Sequence, residues 1–174
     1  TPLLFVSPAQ INAQMSYQSS GGVKLAIHTP GGVSPDFDLA VKSAAPSVFR
    51  AAVAPGEVFP TVVRPANNLM ATDSNPVHRN EVIVVYLTGL GAVSPSVAAG
   101  QAAPANPPAQ TLQQPDVTIG GVGAPVLFSG LTPGLVGLYQ INLTVPGNTP
   151  KGLGIPLTIV QGGVTYTVNV RVVE

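Results

Sequence analysis

Val164 to Val173 read VTYTVNVRVV, and apolar and polar residues alternate along the stretch with a period of two. Val164, Tyr166, Val168, Val170 and Val172 fall on one face. Thr165, Thr167, Asn169 and Arg171 fall on the other. A helix would need apolar residues at i, i+3, i+4 and i+7, and that spacing is absent. The pattern is a strand with one buried and one wetted face. Gly162-Gly163 precedes it and residues 155–160 (IPLTIV) precede that pair, so the three together read as a hairpin.

The same signals recur upstream. Residues 138–145 (LYQINLTV) alternate, with Tyr139, Ile141, Leu143 and Val145 opposing Leu138, Gln140, Asn142 and Thr144. Residues 81–87 (EVIVVYL) form a nearly continuous β-branched run, as a central buried strand does. Within it Val84 and Tyr86 are expected to be buried, together with Ile141, Leu143, Val168 and Val170. Further strands are read at 3–6, 11–17, 23–28, 37–41, 61–64, 117–119 and 126–128. Gly31-Gly32 and Gly120-Gly121 supply turns. No window of a dozen residues has helical spacing without Pro or Gly inside it. Residues 93–115 carry five prolines and no charge. They read as an extended, polyproline-like loop along the sandwich, against the alternative of a flexible linker.

Composition narrows the function. Hydrophobic residues make up 45% of 174, enough for a packed core. Charged residues are only 8%, against about 25% in an ordinary globular chain. Seven basic and seven acidic residues cancel. Phosphate binding needs a basic surplus, so nucleic acid is not an expected partner. Docking to anionic membranes is disfavoured for the same reason, and no apolar run is long enough for a membrane helix. A near-neutral surface is poor at keeping copies apart and suits a fibre, a sheath or a large extracellular polypeptide. With no cysteine there are neither disulfides nor thiolate metal ligands. The chain starts at Thr1 rather than Met, which reads as a processed terminus or a cut from something longer.

An internal repeat carries the most information. Pro2-Leu3-Leu4-Phe5 matches Pro125-Val126-Leu127-Phe128, and Gln10-Ile11-Asn12 matches Gln140-Ile141-Asn142. Gly22-Val23 matches Gly154-Ile155, and Gly31-Gly32 matches Gly162-Gly163. The fold class that follows is all-β: two tandem immunoglobulin-like β-sandwich lobes related by duplication, at 1–75 and 76–174. The first lobe has no counterpart to residues 81–89 or to residues 116–121 (DVTIGG), so it lacks N-terminal strands. Its gap is expected to be filled by upstream sequence, by residues 49–63, or by a strand of a neighbouring molecule. The terminal stretches 1–6 and 166–174 are the candidate donors. The candidate assembly residues are Leu3, Leu4, Phe5 and Val6 at one end and Tyr166, Val168, Val170 and Val172 at the other.

The words PLLFVSPAQINAQ, APSVF, SNPVHRNEVIVVYLTGLG, VTIGG and PGLVGLYQINLTVP run through the chain. Together they resemble the uncharacterised C-terminal domain of large secreted proteins of Acidobacteria such as Solibacter. The VTIGG and APVLF portion is similar to IPT/TIG-type immunoglobulin-like modules. The resemblance implies a bacterial, extracytoplasmic module at the end of a longer protein, with no enzymatic activity and no catalytic residues to carry over. Members of that family continue upstream of the PLLFVSP words, where this chain does not.

Candidate chemistry is sparse. His28 and His78 lack an evident third ligand and read as surface or hydrogen-bonded residues. Asp36 and Asp38 share a strand face that could hold Ca²⁺ or serve as paired acids, or could simply be solvated. Asp73 and Asn75 in ATDSNP fit a weak Ca²⁺ loop or an Asx turn. Gln10, Asn12, Gln140 and Asn142 could form a polar ligand face or ordinary sheet positions. Tyr17, Tyr86, Tyr139 and Tyr166 could stack on sugars, but there is no Trp. No catalytic residue, cofactor or metal is therefore expected. The expected function is a non-enzymatic extracellular structural or adhesive module, a filament or surface-layer subunit joined by β-strand complementation. The alternative is an accessory module that binds carbohydrate or protein.

Overall fold

The computed structural model describes residues 1–174 and is all-β. The first part of the chain forms β1 (Leu3–Ser7), β2 (Gln10–Ala13), β3 (Gly21–Leu25), β4 (His28–Thr29), β5 (Gly32–Val33) and β6 (Phe37–Val41). There follow β7 (Ser47–Val48), β8 (Arg50–Ala54), β9 (Glu57–Pro60), β10 (Val62–Arg64), β11 (Leu69–Met70), β12 (Val77–His78) and β13 (Val82–Thr88). The rest of the chain holds β14 (Val93–Ser94), β15 (Gln110–Thr111), β16 (Asp116–Ile119), β17 (Val122–Gly123), β18 (Val126–Leu131), β19 (Tyr139–Thr144), β20 (Gly152–Gln161) and β21 (Val164–Val173).

Two sheets face each other across one core. The first runs β11-β10-β13-β19-β18-β15-β14, with β7 also paired to β13. The second runs β12-β21-β20-β16-β17. Alternation decides which side chains enter the core. From β19 come Ile141 and Leu143, and from β21 come Val168 and Val170, all buried as the sequence predicts; Tyr139 and Val172 join them. In β13 the expected face is reversed. Ile83, Val85 and Leu87 are buried, while Val84 and Tyr86 are only partly covered. Both faces of β13 are apolar, so its pattern holds no information about which one turns inward.

The expected division at residue 75 is also corrected. β10 pairs with β13 through Val62 and Val85, and β7 pairs with β13 through Val48 and Leu87. Val48, Val62 and Ala71 belong to the same core as Ile141. The closed sandwich therefore starts at Ala44, which is itself buried. Residues 49–63 do not complete the first lobe, because β8 pairs only with β9, and β10 joins the closed sandwich. Residues 93–115 pack against the sandwich as the extended-loop reading expects. β14 and β15 join the first sheet, and Ala103 and Ala109 are buried.

Residues 1–42 are built differently. β1 pairs only with β2, β3 only with β6, and β4 only with β5. None of these strands contributes to the core. Only Lys42 and Ser43 separate the end of β6 from buried Ala44.

Candidate functional site

Among the charged residues, one partly buried ion pair ties the fold together. Arg64 Nε and Nη2 donate to the two carboxylate oxygens of Glu81, each at 2.9 Å, and Arg64 Nη1 donates to Asn75 Oδ1 at 2.6 Å. The His78 amide also donates to Glu81, at 2.6 Å. Asn75 reaches the Met70 carbonyl at 2.8 Å, so the ATDSNP loop is tied by an amide side chain. His78 Nδ1 lies 2.7 Å from the Glu174 carbonyl. The Lys151 ammonium, hydrogen-bonded to Glu174 at 2.8 Å, holds that exposed carboxyl below its usual range, and the charge of Arg79 adds to the effect. Asp36 and Asp38 both face Lys24, at 3.3 and 3.8 Å, in solvent. His28 lies exposed in β4. No three His, Asp or Glu side chains gather as a metal site would require.

Two of the tyrosines, Tyr17 and Tyr139, do not lie side by side as a flat platform. Tyr17 and Tyr139 meet edge to face, with ring centroids 5.9 Å apart and planes at 85°. The Tyr139 hydroxyl donates to the Gly91 carbonyl. Burial, and then the neighbouring Tyr17, push its phenol above the ordinary tyrosine range. In the glutamine words, Gln10 Nε2 donates to Asn12 Oδ1 at 2.7 Å and Gln140 Nε2 donates to Asn142 Oδ1 at 3.1 Å. These amides satisfy one another along their strands.

The feature left unexplained by internal packing is the open half made by residues 1–42. Leu3, Leu4, Phe5 and Val6 are between 50% and 61% exposed. Apolar side chains on strands with a free edge present both a sticky surface and a row of free backbone groups. Between these hairpins and the closed sandwich lies a cleft of about 1100 Å³, lined among others by Leu4, Ile11, Met15, Leu39, Phe49 and Leu138.

The open half is seated on the sandwich through the segment after β2. Gln14 is buried, and its Oε1 accepts from the Gly100 amide at 2.7 Å. Pro2 lies over Gly100 so closely that a Cβ there would come within 2.8 Å of the proline ring. The left-handed backbone at Gly100, φ +83°, requires glycine as well. Tyr17 packs on Tyr139. Sequence reasoning missed Gln14 and Gly100, because nothing in periodicity marks a residue that fastens one unit to another.

The expected assembly residues divide into two groups. Leu3, Leu4, Phe5 and Val6 are exposed on a strand with one free edge. Val168, Val170 and Val172 are buried in the core of their own chain, and Tyr166 packs against that core. β21 is flanked on both edges, by β20 and by the short parallel β12. The expectation that 166–174 donates a strand is therefore corrected: that strand is already in use. Compared with known proteins, the chain matches no family model, no curated protein and no solved structure.

Proposed function

We propose that this chain is a non-enzymatic structural or adhesive β-sandwich module that works outside the cell. Its open half is completed by β-strand complementation, through head-to-tail self-association into a filament or surface layer or through upstream domains of the same polypeptide. One observation carries this reading: apolar strands 1–42 lie open beside a sandwich that is already closed. Unpaired strand edges with apolar faces pair with another chain when one is supplied. A single chain carrying only 8% charged residues offers little repulsion against such pairing. Donor and acceptor are different surfaces, so contacts between copies build an open filament unless their rotation closes a ring.

Sedimentation velocity over a hundredfold range of concentration, with electron microscopy of the same samples, tests this. Concentration-dependent assembly is expected, and Ile11→Lys on β2 should suppress it. A chain that stays monomeric throughout, with its open half unprotected in every context tried, overturns the reading.

A further inference from the structure

The open half repeats part of the closed sandwich, pair by pair. Across β1 and β2, Phe5 lies opposite Asn12, Val6 opposite Ile11 and Ser7 opposite Gln10, with a break in register just before Phe5. Across β18 and β19, Phe128 lies opposite Asn142, Ser129 opposite Ile141 and Gly130 opposite Gln140, with the break just before Phe128. β3 and β6 reproduce the register of β20 and β21, although the break between Gly152 and Ile155 has no counterpart in β3. Val23 faces Leu39 and Leu25 faces Phe37, as Ile155 faces Val170 and Leu157 faces Val168. Register and bulge position are strongly specified features of a sheet. Two hairpins that agree in both are built to the same plan.

Burial does not follow the plan. Ile11, Leu25, Ile27 and Phe37 are 41%, 48%, 44% and 64% exposed. Their counterparts Ile141, Leu157, Ile159 and Val168 are no more than 2% exposed. In the closed sandwich the second edge of β19 is covered by β13, that of β20 by β16, that of β21 by β12 and that of β18 by β15. All four covering strands come from one stretch, residues 77–119. The open half lacks all four.

We infer that residues 2–42 are the closing half of a second sandwich. Its missing half is a segment built like residues 77–124 that runs into Pro2 as Ala124 runs into Pro125. The inference rests on the reading of the open half as a surface completed by strands, and it names the occupant. A strand resembling β13 lies antiparallel on β2, with an inward residue opposite Ile11 as Val85 lies opposite Ile141. A strand resembling β16 lies on β3, with apolar residues opposite Leu25 and, just past the end of β3, Ile27, as Ile119 and Val117 lie opposite Leu157 and Ile159. The covalent order favours this occupant over a strand from another copy. In the closed sandwich the same polypeptide supplies both halves, and the second copy's β13 and β16 are already enclosed in its own sheets.

The test is a chain in which a second copy of residues 77–124 is fused directly to Pro2, ahead of the full remaining sequence. Amide hydrogen exchange is read at Gln10–Ala13 and Gly21–Leu25. Exchange there should slow by about a hundredfold relative to the unfused chain. Val85→Asp in the added copy alone should abolish the effect. A second fusion carries Val6→Ser and Phe37→Val, the residues found at the equivalent positions of the closed sandwich, and guards against mismatched volume. Unchanged exchange in both fusions, or protection that survives Val85→Asp, overturns the inference. Sedimentation of the unfused chain separates the two readings. If it assembles while the fusions stay unprotected, the occupant is another copy and only the inference falls. If it stays monomeric and the fusions stay unprotected, both fall.

Discussion

Arg64 grips Glu81 with two parallel hydrogen bonds of 2.9 Å, and the side chains are only 12% and 14% exposed. The pair joins the end of β10 to the residue before β13, and Glu81 also accepts the amide of His78. A paired fork of this kind is far stronger than an exposed ion pair. Glu81→Ala leaves a guanidinium with no carboxylate in a mostly buried site. The expected loss is about 2–4 kcal/mol of unfolding free energy in urea titration. Lys24→Ala, whose carboxylate partners lie in solvent, should change stability by less than about 0.5 kcal/mol.

Ile141 and Ile11 hold equivalent places in two hairpins and have opposite environments. Ile141→Ala opens a cavity in the core and should cost about 2–5 kcal/mol. Ile11→Ala removes a half-exposed side chain and should be nearly silent, within about 0.5 kcal/mol. Equal costs in denaturant titrations would contradict the open geometry of residues 1–42.

Gly89 and Gly121 both sit in the left-handed region, at φ +79° and +80°. A Cβ at Gly89 would come within 1.9 Å of the Ala45 carbonyl oxygen, whereas at Gly121 there is nothing within 4 Å. Gly121→Ala should therefore cost only the conformational term, about 1–2 kcal/mol. Gly89→Ala must also push the chain away from the Ala45 carbonyl, and should cost more than about 3 kcal/mol. Thermal melting of the two variants gives the comparison.

Tyr139 predicts an alkaline weakness. Its phenol titrates above the ordinary range when folded, because burial disfavours the phenolate. The unfolded phenol ionises near pH 10. The neutral form thus contributes stability that is complete below about pH 10 and is lost as pH climbs towards the folded value. Melting temperature should fall above about pH 10, and Tyr139→Phe should flatten that fall. The same variant gives up the hydrogen bond to Gly91, at a cost of about 0.5–1.5 kcal/mol near neutrality.

Much of the closed sandwich is visible in the sequence wherever one face of a strand is wet. β21 and β19 alternate cleanly, so their inward residues can be named without coordinates. β13 is apolar on both sides, and its inward face cannot be read from pattern alone. The stretch from Ser47 to Met70 breaks into pieces of two to five residues. Pieces that short leave no periodicity, and so the boundary between the open half and the sandwich falls at Ala44 rather than near residue 75. The likeness of the open half to the sandwich is legible in Pro2-Leu3-Leu4-Phe5 and Gln10-Ile11-Asn12, which match Pro125-Val126-Leu127-Phe128 and Gln140-Ile141-Asn142. The exposure of the open half is a tertiary property. Leu25 and Leu157 look alike in sequence, and only the neighbouring strands distinguish them.

Lys42 and Ser43 are all that lies between β6 and the buried start of the sandwich. Two residues reach at most about 7 Å when fully extended, and they hold almost no slack. A pull on the open half therefore reaches the sandwich without first straightening a spacer. The joint is a stiff coupling between the open half and the sandwich.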